Sequence, residues 1–381
     1  MTQATASMSA RPLSSRSTRL LIIHVIPQIS GGGAELLVRE LCVRQGQQGA
    51  QSIAIFFSSS PHDEVSGDRF GLGMRNPRSP LAIFRLRKKL VGVISSKHPD
   101  QIIVVHLHLT WGLLYGVPAC TGLPVKLVYT EHNTSNKFRR IPGAQLLLSE
   151  FYRRLDQVVC ISPGVDQSLA SWLARSGQNV PRRVVMNGAR LMKLPADGRQ
   201  LVAERRLRLV AVGSLHERKG FDILLLALAR SLDRVESLTI VGEGPEYSRL
   251  TSLALALGVS EVCRFVGWQA DVEPWYHAAD CMVMSSRWEG FGLVAVEAMS
   301  TGLPVVAPRL AGLSEVLSGC QAAFFFEPES AEGLAATFAS VYEALKFNAQ
   351  RVAELASSHA AQFSLDRMAE QYLDVYEGLG F

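Results

Sequence analysis

One pattern recurs along this chain: a short apolar run, a glycine-bearing turn, then apolar residues at helical spacing. Leu20–Ile26 leads into Ser30-Gly31-Gly32-Gly33-Ala34-Glu35, and Leu36, Leu37, Leu41 and Val43 follow at helical intervals. Leu207–Val212 leads into Gly213 and then Arg218-Lys219-Gly220, with a helical segment over 221–231 behind them. Further strands are predicted at 52–57, 101–109, 125–130, 157–162, 182–186, 238–241, 262–266, 281–284 and 304–307. Strands alternating with helices predict parallel sheets, whose ligands bind beyond the carboxyl ends of the strands. At 381 residues the chain is long for one core, so two such domains are expected. The expected division is a disordered tail at 1–18, a first domain at 19–190, a polar linker at 191–206, a second domain at 207–363 and a terminal helix at 364–381.

Charge is divided unevenly. Residues 1–190 carry 23 Lys and Arg against 10 Asp and Glu, whereas 191–381 carry 16 against 24. A basic half points to an anionic partner surface. Nucleic acid is set aside, because the basic residues lack an aromatic stacking platform or a recognisable module. The stretch Lys137-Phe138-Arg139-Arg140-Ile141-Pro142, followed by residues 146–154, is basic, aromatic and amphipathic, which suits an anionic membrane face or an ordinary solvated helix. The six cysteines are scattered, without CxxC, and read as core residues of a reducing compartment. No run is long enough to span a bilayer, and the first residues lack a signal-peptide pattern. The expected location is cytoplasmic, with peripheral attachment to the inner face of the membrane as one form of it.

The chemistry concentrates at residues 285–306, where Glu289-Gly290-Phe291-Gly292 opens a helix that carries Glu297. A second group lies at strand ends of the first half. His106 and His108 fall on one side of their strand, and His132 ends the next one. No metal site is expected, because neither a carboxylate nor a cysteine completes a ligand set there and no Asp-x-Asp motif is present. A nicotinamide site is also disfavoured, since the first glycine turn is not GxGxxG and no acidic residue follows about 20 positions on. Glu289 and Glu297 are eight positions apart, about 12 Å of rise on a continuous helix. Separate tasks suit them better than a paired acid and base.

Taken together, Gly31-Gly32-Gly33-Ala34-Glu35, His106/His108, Gly213 with Lys219-Gly220, Gly242-Glu243-Gly244-Pro245, Phe265-Val266-Gly267, Glu289-to-Glu297 and Gly312-Leu313-Ser314-Glu315 resemble the retaining glycosyltransferases of family 4 over nearly the whole chain after residue 19. The resemblance implies the GT-B fold: two Rossmann-like domains facing across a cleft, with the last helix returning to the first domain. It implies a nucleotide-sugar co-substrate, a uridine rather than a guanosine diphosphate sugar, and no cofactor. Glu297 would hold the ribose and Glu289 the sugar. The backbone of Phe291, Gly292 and Leu293 would reach sugar hydroxyls and phosphate. Lys219 would hold the diphosphate, with Gly213 and Arg218 beside it, and Val266 and Gly267 would border the base. His108 would close over the reacting sugar, while Gly32, Gly33 and His132 would serve the acceptor and phosphate side. Many members have an arginine after the glycine of the Gly213 turn, and here that position is Ser214. The implied reaction moves a sugar with retention, independently of metal, to a lipid-linked or membrane-proximal glycan acceptor in bacterial cell-surface polysaccharide or glycolipid assembly. A nucleotide-sugar isomerase and a non-catalytic sugar-binding relative are the alternatives.

Overall fold

The computed structural model describes residues 19–28, 33–57, 69–74, 76, 79–98, 100–133, 137–141, 144–198 and 205–380. The expected tail at 1–18, the loop glycines Gly31 and Gly32, and part of the linker lie outside them.

The first domain carries strands β1 (Leu20–Ile26), β2 (Gln51–Phe56), β3 (Arg69–Gly71), β4 (Ile102–His108), β5 (Lys126–Glu131), β6 (Gln157–Cys160) and β7 (Arg182–Val184). Its helices are α1 (Gly33–Gln47), α2 (Leu81–Ser95), α3 (Leu109–Cys120), α4 (Ala144–Arg153) and α5 (Pro163–Ala174). The second domain carries β8 (Leu207–Val212), β9 (Val235–Val241), β10 (Cys263–Phe265), β11 (Cys281–Val283), β12 (Val305–Pro308) and β13 (Ala323–Phe326). Around them lie α6 (Phe221–Ala229), α7 (Tyr247–Ala256), α8 (Glu273–Ala278), α9 (Leu293–Ser300), α10 (Ala311–Leu317) and α11 (Ala331–Ala360), and α12 (Leu365–Glu377) ends the chain.

Both sheets are parallel throughout, in the orders β3-β2-β1-β4-β5-β6-β7 and β10-β9-β8-β11-β12-β13. This is the GT-B arrangement of two Rossmann-like domains. Every residue of β1 is buried, as expected of a central parallel strand covered by helices on both faces. Strand order reverses between β1 and β4 in one sheet and between β8 and β11 in the other. At such a reversal the flanking connections leave on opposite faces, and a crevice opens beyond the strand ends.

Helix α12 returns to the first domain. Its Ser364 caps the helix by accepting from Arg367 N–H, and Ala189 bridges to Ser364. Leu365, Met368, Ala369, Tyr372, Leu373, Val375 and Tyr376 pack with Leu20, Ile22, Val104 and Val128 of the first sheet. The Tyr376 hydroxyl lies 2.6 Å from His106 Nδ1, and the Tyr372 hydroxyl lies 3.1 Å from Thr130 Oγ1. Phenylalanine at 376 keeps the ring and strips a buried imidazole nitrogen of its partner. Tyr376→Phe is therefore expected to cost about 1–3 kcal/mol. Urea unfolding should show this as a lower midpoint at unchanged slope.

Candidate active site

The second-domain wall is built from the loops after β8 and β11. Gly220 takes a left-handed conformation at φ 60, and a Cβ there would stand 2.1 Å from the Ser285 carbonyl. Only glycine lets the two loops meet this closely. They are then stitched together: Ser285 Oγ donates to the Lys219 carbonyl at 3.0 Å, and Arg287 N–H donates to the Arg218 carbonyl at 2.8 Å. Arg287 also grips Asp222 through two 2.9 Å hydrogen bonds. That bidentate guanidinium holds the Asp222 carboxyl below its usual range against the opposing effect of burial. The result is an ion pair, with Lys219 Nζ donating to Glu289 Oε2 at 2.5 Å. Both side chains are mostly buried, at 13% and 16% exposure, and neither is sealed from the cleft.

Gly292 follows, with φ 84, and begins α9 without a side-chain cap. A Cβ at Gly292 would strike Leu313 at 2.4 Å. The first amides of α9 are thus open to an anion, with the helix dipole behind them. Phe291 buries its ring against Phe363 and leaves only its backbone to the site. Further along α9, burial pushes the Glu297 carboxyl up to about 7, and the charge of Arg190 and the hydroxyl of Tyr276 offset only part of that. Glu289 and Glu297 therefore occupy different surroundings, one paired with a lysine and the other partly protonated near neutrality. Gly213 and Gly267 stand at the ends of β8 and β10, on either side of Gly242, whose N–H donates to the Gly267 carbonyl. Val266 continues β10 beside them, its N–H donating to Ile240. Arg218 is exposed, in contrast to Lys219.

In the first-domain wall, His108 is 1% exposed, and both its ring nitrogens face other histidines. His108 pairs with Thr130 on β5, so His132 lies two residues nearer the carboxyl end, about 6–7 Å along the strand direction. His132 is the half-buried member of the group, and a Cβ on Gly290 of the second domain would lie 3.4 Å from its backbone carbonyl oxygen. Gly33 also faces the second domain, its Cβ position 3.7 Å from Leu293. His132, Gly33, Glu289, Gly290 and Leu293 thus meet along one interdomain line.

Sequence reasoning passed over His24. It sits opposite His106 in register, and its signal, a polar residue inside an apolar run, acquires meaning only once that register is known. His24 Nδ1 is 3.0 Å from His108 Nε2, and His24 Nε2 is 2.9 Å from Gln45 Oε1. Burial lowers His24 and His132 to about 4 and carries His106 and His108 well below the usual histidine range, so all four are neutral at physiological pH. Ligand atoms of His24, His106 and His108 lie within 4.8 Å of one another, a spacing open to a metal ion. All six of their ring nitrogens, however, are already engaged: those of His106 with Tyr376 and Thr130, the others with Gln45, His132 and each other.

The basic stretch after β5 is divided between the interior and the surface. Arg139 pairs with buried Glu131, which also accepts from Tyr152 at 3.0 Å. Arg153 and Arg154 both pair with Glu150. Arg139 is thus buried and neutralised, whereas Arg153 and Arg154 share the single carboxylate of Glu150 and stay exposed.

Two parallel-sheet domains, each with a switch point in its strand order and with the Lys219–Glu289 pair at that of the second, define a GT-B protein. The chain belongs to glycosyltransferase family 4: residues 31–189 match the family profile described as Glycosyltransferase Family 4, and residues 206–344 match that of Glycosyl transferases group 1. It is 33% identical over 335 residues to a D-inositol 3-phosphate glycosyltransferase of Streptomyces scabiei, covering 80% of this chain and 74% of that one. It is 30% identical over 231 residues to the lipopolysaccharide core biosynthesis glycosyltransferase LpsE of Rhizobium meliloti, covering 59% of this chain and 65% of that protein. The match to the D-inositol 3-phosphate glycosyltransferase of Streptomyces griseus covers 37% of that relative. In fold it is similar to Anabaena Alr3699/HepE in complex with UDP and glucose, with a TM-score of 0.75 at 21% identity over 94% of this chain and 99% of that one.

Gly220→Ala is expected to separate the two loops. Strain at a left-handed position plus the clash with a backbone carbonyl should cost at least about 2 kcal/mol. Chemical denaturation checks this, and nucleotide-sugar binding should weaken in parallel.

Proposed function

We propose that the protein is a retaining glycosyltransferase that moves a sugar from a nucleotide-sugar, of the uridine diphosphate class, to an acceptor hydroxyl. The observation that carries this reading is the Lys219–Glu289 pair at the uncapped start of α9. The leaving group is a nucleoside diphosphate, so charge develops on phosphate oxygens. Lys219 and the α9 amides supply preorganised positive potential for it. On donor binding, Lys219 turns from Glu289 to the diphosphate, and Glu289 is released to hydrogen-bond the sugar. The absence of an arginine at Ser214 places that work on Lys219 and the helix terminus, with Arg218 exposed nearby. Glu297 accepts from the ribose hydroxyls. Val266, Gly267 and Gly213 border the base. His132 faces the sugar from the first domain and takes the role expected of His108, while Gly33 leaves room for the acceptor. The acceptor hydroxyl attacks on the face that the diphosphate leaves, and the departing phosphate takes its proton. Family relatives in lipopolysaccharide core synthesis and the UDP complex of a structural neighbour support a UDP-sugar and a cell-surface glycan acceptor.

The test is calorimetry and turnover with a panel of nucleotide-sugars. Lys219→Ala should lower kcat/KM by about 100- to 1,000-fold, as loss of one preorganised charge contact does, and Glu289→Gln should lower kcat. Failure of every nucleoside diphosphate sugar to bind, or full activity in both variants, overturns the reading.

Glu297 adds a pH signature. Ribose hydroxyls donate to the carboxylate, whose pKa is about 7 in the free protein against an ordinary 4.5. Below about pH 7, UDP affinity should fall, by up to about tenfold per unit once the unbound carboxyl is protonated, until the carboxyl of the complex protonates as well, and Glu297→Gln should remove this dependence. For folding the sign is opposite. The native state holds the extra proton between 4.5 and 7, so this group's contribution is complete below 4.5 and is lost as pH rises through 7.

The membrane part of the proposal rests on α2. Leu81, Phe84 and Val91 are 59%, 71% and 40% exposed along one stripe of α2, with Arg85 and Lys88 exposed among them. No acidic residue lies on α2. An exposed apolar stripe with one aromatic ring, set among lysine and arginine, suits an anionic bilayer surface, where a lipid-linked acceptor resides. No described helix is long and apolar enough to cross a membrane. Co-sedimentation with phosphatidylglycerol vesicles should be lost in Phe84→Asp and weakened by salt.

A further inference from the structure

Beneath the cleft, a row of buried side chains runs from α1 to the end of β5. Gln45 Oε1 faces His24 Nε2 at 2.9 Å, His24 Nδ1 faces His108 Nε2 at 3.0 Å, and His108 Nδ1 faces His132 Nε2 at 3.4 Å. Gln45, His24 and His108 are at most 1% exposed. The Ser52 hydroxyl donates to the same Gln45 oxygen at 2.9 Å, so two donors converge on the amide oxygen. A neutral imidazole has one N–H and one bare nitrogen, and a hydrogen bond at one nitrogen decides the state of the other.

We propose that Gln45, acting through His24 and His108, is a positioning residue that fixes the tautomer His132 presents to the cleft. The logic runs outward. The Gln45 oxygen can only accept, so His24 carries its proton on Nε2 and has a bare Nδ1. His108 must then donate from Nε2, which leaves its Nδ1 bare. His132 in turn donates from Nε2 and holds a lone pair on Nδ1. A bare Nδ1 accepts a hydrogen bond from a hydroxyl of the sugar or acceptor; the opposite tautomer would donate one. The orientation of one amide about three side chains away, its oxygen turned toward Ser52 and His24, thereby selects between an acceptor and a donor at the cleft. Burial supports the scheme, because it keeps all the rings neutral and removes the water that would otherwise satisfy either tautomer. The value of this device for turnover rests on the reading of His132 as the sugar-facing residue, whereas the tautomer itself does not.

Nitrogen NMR of the full-length protein labelled in histidine tests it, with the His132 signals assigned by their loss in His132→Gln. The wild type should show His132 protonated at Nε2 and bare at Nδ1. Gln45→Met, which removes the acceptor at similar volume, should give a mixture of tautomers, and Ser52→Ala should mix them to a smaller extent. With UDP-glucose hydrolysis as the probe, Gln45→Met should lower kcat at least about twofold at unchanged KM, the loss expected when only half the molecules hold the competent state. His132 protonated at Nδ1 in the wild type would overturn the proposal. So would an unmixed Nε2–H tautomer in Gln45→Met or, where that variant fails to fold, in Ser52→Ala. Correct tautomers without any change in kcat would leave the chain of hydrogen bonds standing and count against the sugar-facing role of His132.

Discussion

The reversal of strand order in each sheet is the constraint from which the rest follows. Parallel strands send their connections to one face or the other, and the point where direction switches cannot be covered from either side. The β1/β4 reversal exposes the end of a histidine-bearing strand layer. The β8/β11 reversal exposes the loops that hold Lys219 and Glu289. Setting these two openings against each other makes one site from two halves, neither of which has the full set of groups. The glycines at 220 and 292 are the local cost of this arrangement, since backbone must pass within contact distance of backbone or of Leu313.

The two halves differ in electrostatic character. The second-domain wall is charged and half-open, with the Lys219–Glu289 ion pair in it. The first-domain wall is neutral, deeply buried and hydrogen-bonded through rings. A charged wall suits a group that develops negative charge, and a neutral one suits orientation of hydroxyls. Helix α12 connects the domains physically: it leaves the second domain and buries Tyr372 and Tyr376 against the floor of the histidine layer. The same helix that ends the chain therefore completes the hydrogen bonding of His106.

Much of this was legible in the sequence because apolar runs and glycine turns are local signals. The predicted strands at 20–26, 207–212 and 281–284 match β1, β8 and β11 within a residue, and the terminal helix predicted at 364–381 contains α12. The joining of the Glu289 loop to the Lys219 turn followed from the family resemblance, not from spacing. What escaped was non-local. His24 has no marker until β1 and β4 are in register. That His132 stands two residues beyond the partner of His108 depends on the register of neighbouring strands, which alternation alone cannot supply. The burial of Arg139 also escaped, because its partner Glu131 is an acceptor whose orientation only the fold decides. The 30-residue α11 was not predicted, and it is not one regular helix: Asn348 leaves helical geometry inside it.

The central claim is that one sugar is held between the Glu289 loop and His132, with its diphosphate on Lys219 and the start of α9. A crystal structure with a non-hydrolysable UDP-sugar tests it most directly. The account predicts ribose on Glu297, phosphate oxygens within hydrogen-bond distance of Lys219 Nζ and the α9 amides, Glu289 released from Lys219, and His132 Nδ1 facing a sugar hydroxyl. A nucleotide bound elsewhere, or a donor in this cleft with the Lys219–Glu289 pair intact and no contact to His132, would contradict it.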